Sequence, residues 1–119
     1  STLSSSSAAS DVYKRQRIYY CAPTRLPALL ERFRSTTLGF FEKYGIEQVG
    51  FFTTLVGEDN HALTYFLKWD SMAQREERWN AFQADPDWIA KRSASEAQSP
   101  IVARIENNFL SPTDFSALR

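Results

Sequence analysis

A single histidine and a single cysteine bound the nucleophile and general-base chemistry open to this chain. His61 directly follows the turn cluster Gly57-Glu58-Asp59-Asn60. An imidazole titrates near neutral pH and can serve as a general base, although a place beside a turn equally fits a solvated residue. Cys21 lies among β-forming residues and reads as a small core side chain, because a reactive thiol needs a nearby base that the pattern does not supply. One histidine and one cysteine cannot build a structural zinc site, so no metal is expected. The sequence holds no G-x-G-x-x-G, P-loop, G-x-S-x-G or H-E-x-x-H, and paired carboxylates at useful spacing are not evident. The stronger signal is aromatic. Tyr19, Tyr65, Trp69, Trp79 and Trp88 carry apolar bodies, and their polar tips suit an apolar organic ligand held by a few hydrogen bonds. Tyr19, Tyr65, Trp69, Trp79 and His61 are therefore the candidate ligand site, with plain core packing as the competing reading. Arg75, Glu76, Glu77 and Arg78 read as a solvated helix face with local ion pairs, or, for Arg75 and Glu76, as a buried pair that shapes the pocket. Arg104 and Glu106 lie two apart and share one face of the last strand, where a dimer contact is open to them.

The elements that must position these groups follow from periodicity. Residues 1–16, STLSSSSAASDVYKRQ, are serine-rich and are read as a disordered tail, native or non-native, outside the fold argument. The patterned domain then covers residues 17–119. RIYYCA is the first strand. Leu26, Leu29, Leu30, Phe33, Thr37, Phe40, Phe41 and Tyr44 recur at helical spacing, which predicts a helix from about Arg25 to Tyr44. Thr24 would cap it, Pro27 fits its first turn and Gly45 suits the position past its end. IEQVGFFTTLV is the second strand and ALTYFLKW the third. A hairpin over GEDN would set Phe52 opposite Tyr65 and Phe51 opposite Phe66. Ser71 and Gln74 form a capping-box pattern, Asp85-Pro86 restarts a helix, and IVARIENNFL is the last strand.

The order strand, helix, strand, strand, helix, strand predicts an α+β, ferredoxin-like βαββαβ domain with an antiparallel sheet. Its strands do not alternate cleanly. Leu63, Tyr65, Leu67 and Trp69 take one face of the third strand, yet Phe66 lies on the other. Both sheet faces thus carry large apolar groups while the helices cover only one, and a second copy packed on the helix-free face is the expected remedy. A tail carrying Phe109, Leu110 and Phe115 is the alternative cover. Fourteen basic residues balance fourteen acidic ones, so nucleic acid and anionic membrane surfaces are not expected partners. No apolar run is long enough to span a membrane, and one cysteine fits a reducing, cytoplasmic setting.

The segment WDSMAQREERWNAFQADPDW resembles the NIPSNAP family. Trp69 ends a strand, Ser71 leads a helix with Arg75, Glu76, Trp79 and Phe82, and Asp85, Pro86 and Trp88 make a D-P-x-W turn. The similarity runs from about Arg17 to the closing SPTDFSALR. The resemblance implies a dimeric α–β barrel and leaves activity open, because the family has no generally established reaction. The functional expectation is a homodimer binding a small apolar ligand between sheet and helices, without a cofactor. The alternatives are a cofactor-independent monooxygenase or isomerase of the wider barrel superfamily and, third, haem binding through His61.

Overall fold

The structure, a computed structural model, describes residues 13–118, Tyr13 by its backbone alone. Residues 1–12 of the expected tail lie outside the described residues. Its last four do not behave as a tail, because strand β1 runs Tyr13–Cys21, four residues ahead of the boundary drawn at Arg17. β1 is the inner strand of a sheet ordered β2-β3-β1-β4, with β2 at Glu47–Thr53, β3 at Ala62–Trp69 and β4 at Val102–Leu110. All three pairings are antiparallel. Lys14 to Gln16 are hydrogen-bonded between two neighbours, and that tertiary pairing outweighs their polar composition.

The first helical stretch is α1 (Leu26–Arg32), a π-helical insert (Phe33–Thr37) and α2 (Leu38–Lys43). The insert has a reason in the spacing. Leu29, Phe33, Thr37 and Phe41 are all buried and each lies four residues from the last. On a regular α-helix three such steps rotate the stripe by about 120°. The wider π turn takes up part of that drift and keeps all four on the sheet. Arg25, not Thr24, occupies the N-cap, without a side-chain cap. Thr24 instead has φ +72°, a left-handed conformation from which it does not cap. Gly45 ends α2 at φ +66°, as its position past the helix predicts.

α3 (Met72–Ala84) starts on Ser71, whose Oγ accepts the Gln74 amide at 3.0 Å. The Gln74 side chain reaches back one residue further than a capping box, accepting the Asp70 amide at 2.8 Å. Asp85 caps α4 (Pro86–Ser95), its Oδ1 accepting the amides of Asp87 and Trp88. Its Oδ2 accepts from Lys43 Nζ at 2.8 Å and from the Tyr44 hydroxyl, which ties α4 to the end of α2. These bonds, led by Lys43 and then Tyr44, hold the carboxyl well below the usual carboxylate range.

The helices cover the sheet face bearing Leu63, Tyr65, Leu67 and Trp69. The β2–β3 register differs from the hairpin expectation by one residue, with Phe51 opposite Tyr65 and Phe52 opposite Thr64. The connection runs from residue 54 to residue 61, with β2 ending at Thr53 and Leu55 96% exposed. A loop of that length does not pin a register, and a slip of one residue reverses every side chain. Phe51 therefore stacks on Tyr65 beneath the helices at 5.2 Å, while Phe52 lies beside Phe66 on the helix-free face. A register shift between Gln48 and Gly50 accompanies Val49 and Phe52 bordering the same depression on that face.

Candidate functional site

β1 places Arg15, Arg17, Tyr19 and Cys21 on the helix side of the sheet by simple alternation. All four are buried. Their neighbours on β3 are Leu67, Tyr65 and Leu63, and on β4 Phe109, Asn107 and Ile105. α3 and α4 lie over β1 and leave the inner side of β4 only partly covered, so Ile105 and Phe109 stay half exposed. The result is a groove of about 590 Å³. Its floor is Arg17 and Tyr19, one wall is Val102 to Ile105 of β4, and the other is Trp79, Gln83, Trp88, Arg92 and Glu96. Arg32 closes the end nearest α1.

The polar groups of this groove are almost all donors. Arg17 Nη2 donates to the Tyr19 hydroxyl at 3.0 Å, and the Tyr65 hydroxyl donates to the same oxygen at 3.3 Å. With two bonds accepted, the Tyr19 oxygen keeps its own hydrogen to give. Arg17 Nε, Arg32 Nε and Trp88 Nε1 are buried without a hydrogen-bond partner, as are Arg15 Nη1 and Arg75 Nε further along β1 and α3. Arg32 is paired with Glu96 at 3.0 Å. Arg15 and Arg17 have no ion pair among the described residues. Arg15 donates to Asn107 Oδ1 at 2.7 Å, and the ring of Trp79 lies 4.2 Å from its guanidinium carbon and 4.8 Å from that of Arg17.

Burial, then the charges of Arg17 and Arg75, push the Arg15 guanidinium down to about 9. It still carries its charge at neutral pH. Burial also opposes the charge of Arg17, but Tyr65 and Tyr19 outweigh it and hold that pKa up. Tyr65 itself is raised well above its usual value, first by burial and then by Tyr19, so it is a neutral phenol at pH 7 and cancels no charge. The site is therefore a row of buried cations faced by aromatic rings and neutral hydroxyls.

Of the expected ligand residues, Tyr19 and Trp79 border the groove, and Tyr65 stands directly behind Tyr19 with ring centroids 5.6 Å apart. Trp88, read as part of the wider aromatic set, borders it too. Trp69 is fully buried at the far end of β3 and does not line the groove. His61 is exposed on the β2–β3 turn, its amide donating to Asp59 Oδ1 at 2.7 Å, and it does not join the site. Cys21 is a buried core residue whose thiol is pushed up by burial. Arg75 departs from the expected solvated face, its guanidinium 5.3 Å from the Phe109 ring, and no ion pair joins it to Glu76. Arg78 likewise donates to the Gly45 carbonyl at 2.6 Å. Arg104 and Glu106 face the helix-free side, where the Arg104 guanidinium carbon lies 3.7 Å from the Tyr20 ring centre.

Arg15 and Arg17 escaped the sequence reading because the tail was drawn through the first and to the edge of the second. The signal was present: Arg15, Arg17, Tyr19 and Cys21 alternate at the strand period. Among the described residues no cluster of three histidine, cysteine or acidic side chains is placed to hold a metal, and no helix is long and apolar enough to cross a membrane.

Comparison with known proteins bears on the same residues. The NIPSNAP family model matches residues 13–117 and so takes in the four residues first assigned to the tail. A NIPSNAP family protein from Agrobacterium tumefaciens superposes with a TM-score of 0.81 at 24% identity, covering 91% of this chain and 99% of that one. An uncharacterized NIPSNAP-like domain protein from Burkholderia xenovorans gives 0.79 at 21% identity, covering 90% of each. A second Agrobacterium tumefaciens structure, a NIPSNAP family protein with unknown function, gives 0.80 at 23% identity, with 92% and 96% covered. At these identities the likeness is one of fold. No curated protein matches the chain.

Proposed function

The chain belongs to the NIPSNAP family, and from that premise we propose that it is a homodimeric binding protein whose ligand is a small apolar molecule held between the sheet and α3–α4. The observation that carries the reading is the groove. Its volume of about 590 Å³ falls within the range of small-molecule sites, roughly 300–1,000 Å³. Trp79, Trp88, Val102 and Ile105 give it apolar walls. A chain that needed only a core would close α3 and α4 onto β4, yet Ile105 and Phe109 keep nearly half their surface open.

The dimer is supported by the opposite face. Val49, Phe52, Phe66, Leu110 and Leu118 border an apolar depression of about 450 Å³. The C-terminal segment reaches its rim through Pro112 and Ser116, but Phe52 stays 57% exposed and Phe115 86%. Burying such side chains is worth about 1.5–3 kcal/mol each, and a second copy related by a two-fold axis covers them most simply. Two such units closed on each other make the dimeric α–β barrel. The single buried cysteine fits a cytoplasmic setting. An oxygenase or isomerase reading needs a proton acceptor near neutral pH at the ligand, and the one imidazole stands on a turn outside the groove.

Two variants test the proposal. The neutral dye Nile red should bind the wild-type protein and lose binding in Ala103→Trp, which fills the groove from its β4 wall. Phe52→Asp on the other face should leave that binding intact while lowering the light-scattering mass from a dimer's to a monomer's. Wild-type protein that scatters as a monomer at micromolar concentration defeats the dimer. Dye binding that survives Ala103→Trp defeats the groove.

A further inference from the structure

The unpartnered groups around the groove have one chemical sense. Among the described residues the groove's own unpartnered buried side-chain atoms are donors, guanidinium nitrogens of Arg17 and Arg32 and the indole nitrogen of Trp88, and those away from it, on Lys14, Arg15, Arg25, Trp69 and Arg75, are donors as well. Among the described residues no buried carboxylate, carbonyl or hydroxyl oxygen of a side chain is left over. Native proteins leave few such atoms, and each asks for an explanation.

Their placement sharpens the point. Arg15 is 3% exposed and Arg17 7%, and neither meets an acidic side chain of the described residues. Arg17 and Tyr19 lie side by side on the groove floor, and the Tyr19 oxygen, having accepted two bonds, has a hydrogen to give. Three arginines, Arg17, Arg32 and Arg92, line the groove from the helix side against one acid, Glu96, which is already paired with Arg32. Trp79, Trp88, Val102 and Ile105 add apolar surface to the walls. A wholly apolar guest would leave these buried donors unsatisfied. A free inorganic anion would leave the aromatic walls unused.

We infer that the ligand is an apolar organic acid, its oxyanion held by Arg17 and the Tyr19 hydroxyl and its hydrocarbon body laid against Trp79, Trp88 and Ile105. This rests on the groove reading above and names the ligand class for it. Arg15 and Arg75 stand beyond Arg17 along the same face and add positive field to the acid end of the groove. The neighbouring Trp79 ring covers Arg15 and Arg17 with a π face, which holds the cations in place without neutralising them.

The test pairs acids with neutral analogues of the same body. 4-Phenylbutyrate and 1-naphthylacetate are titrated beside 4-phenylbutanol and 1-naphthaleneethanol, with inorganic phosphate alone, into the full chain, and binding is read from tryptophan fluorescence and thermal shift. Each acid should bind at least about tenfold more tightly than its alcohol, the margin expected of charge-assisted hydrogen bonds. Arg17→Met should erase that margin, bringing the acid-to-alcohol affinity ratio to about one. Tyr19→Phe removes one hydroxyl from an otherwise intact ring and should narrow the margin severalfold, which keeps the test open should Arg17→Met fail to fold. Equal binding of acid and alcohol overturns the acid inference and leaves the groove reading standing. Phosphate binding as tight as the organic acids also overturns it. Binding of neither member of either pair overturns the groove reading and the inference together.

Discussion

Replacing Arg15 by methionine should stabilise the unliganded protein. The guanidinium is almost wholly buried, leaves Nη1 without a partner and meets no carboxylate of the described residues. Burial and the charges of Arg17 and Arg75 push it down to about 9, well below an ordinary guanidinium. At about 1.36 kcal/mol for each pH unit, the charge on Arg15 costs several kcal/mol before screening. The return is smaller. The Trp79 face at 4.2 Å gives back about 2 kcal/mol for a desolvated cation, and water at the groove mouth screens part of the remainder. The Asn107 side chain is exposed and turns to solvent when Arg15 is gone, so its bond is not a net loss. Methionine has nearly the length of the arginine stem and adapts to irregular gaps. The balance favours the variant by about 1–2 kcal/mol, in line with apolar replacement of buried charges elsewhere. For a domain of this size that raises Tm by roughly 4–12 °C. Urea unfolding at pH 7 followed by circular dichroism measures it, with an unchanged m-value showing that the same surface is exposed. A loss of about 3–5 kcal/mol instead would show that Arg15 already has a buried anionic partner, and the reasoning about unpaired cations would fail with it.

The core and the caps give further outcomes. Phe82 is buried against Phe41, Trp79 and Trp88, with ring centroids 5.4, 5.2 and 4.7 Å away. Phe82→Ala should therefore cost about 3–5 kcal/mol, read as a fall in the urea midpoint at constant m. Asp85→Asn should weaken the tie between α4 and the end of α2 in a way that depends on pH. Lys43 and Tyr44 depress the folded-state carboxyl, so its contribution is complete above the unfolded value near pH 4 and is lost as pH falls through the lower folded value. The stability gap between wild type and variant should be widest at pH 7 and shrink on acidification below about pH 4. A gap that is constant from pH 7 to pH 2 would remove the ion pair from the account.

The order of strands and helices was written in the residues. Short β-branched and aromatic runs, a helical stripe ending at Gly45, and the Ser71 and Asp85 caps each carry a local signal that survives folding, because caps and turns depend on near neighbours. The excess of apolar groups for one sheet face was legible for the same reason, since strand alternation needs no tertiary information. The register of β2 on β3 was not. An eight-residue connection leaves the pairing to packing, and only the docking of Phe51 between Tyr65 and Phe33 selects it. Nor did composition reveal Arg15 and Arg17 as the floor of a site. A strand of Lys, Arg and Gln looks like solvent-exposed chain until β3 and β4 close on both its edges and Trp79 lies over it. Burying a cation is costly in isolation, so no local rule puts one there. That placement exists only once the whole sheet and α3 are assembled, and with it the groove and the charge that defines its ligand.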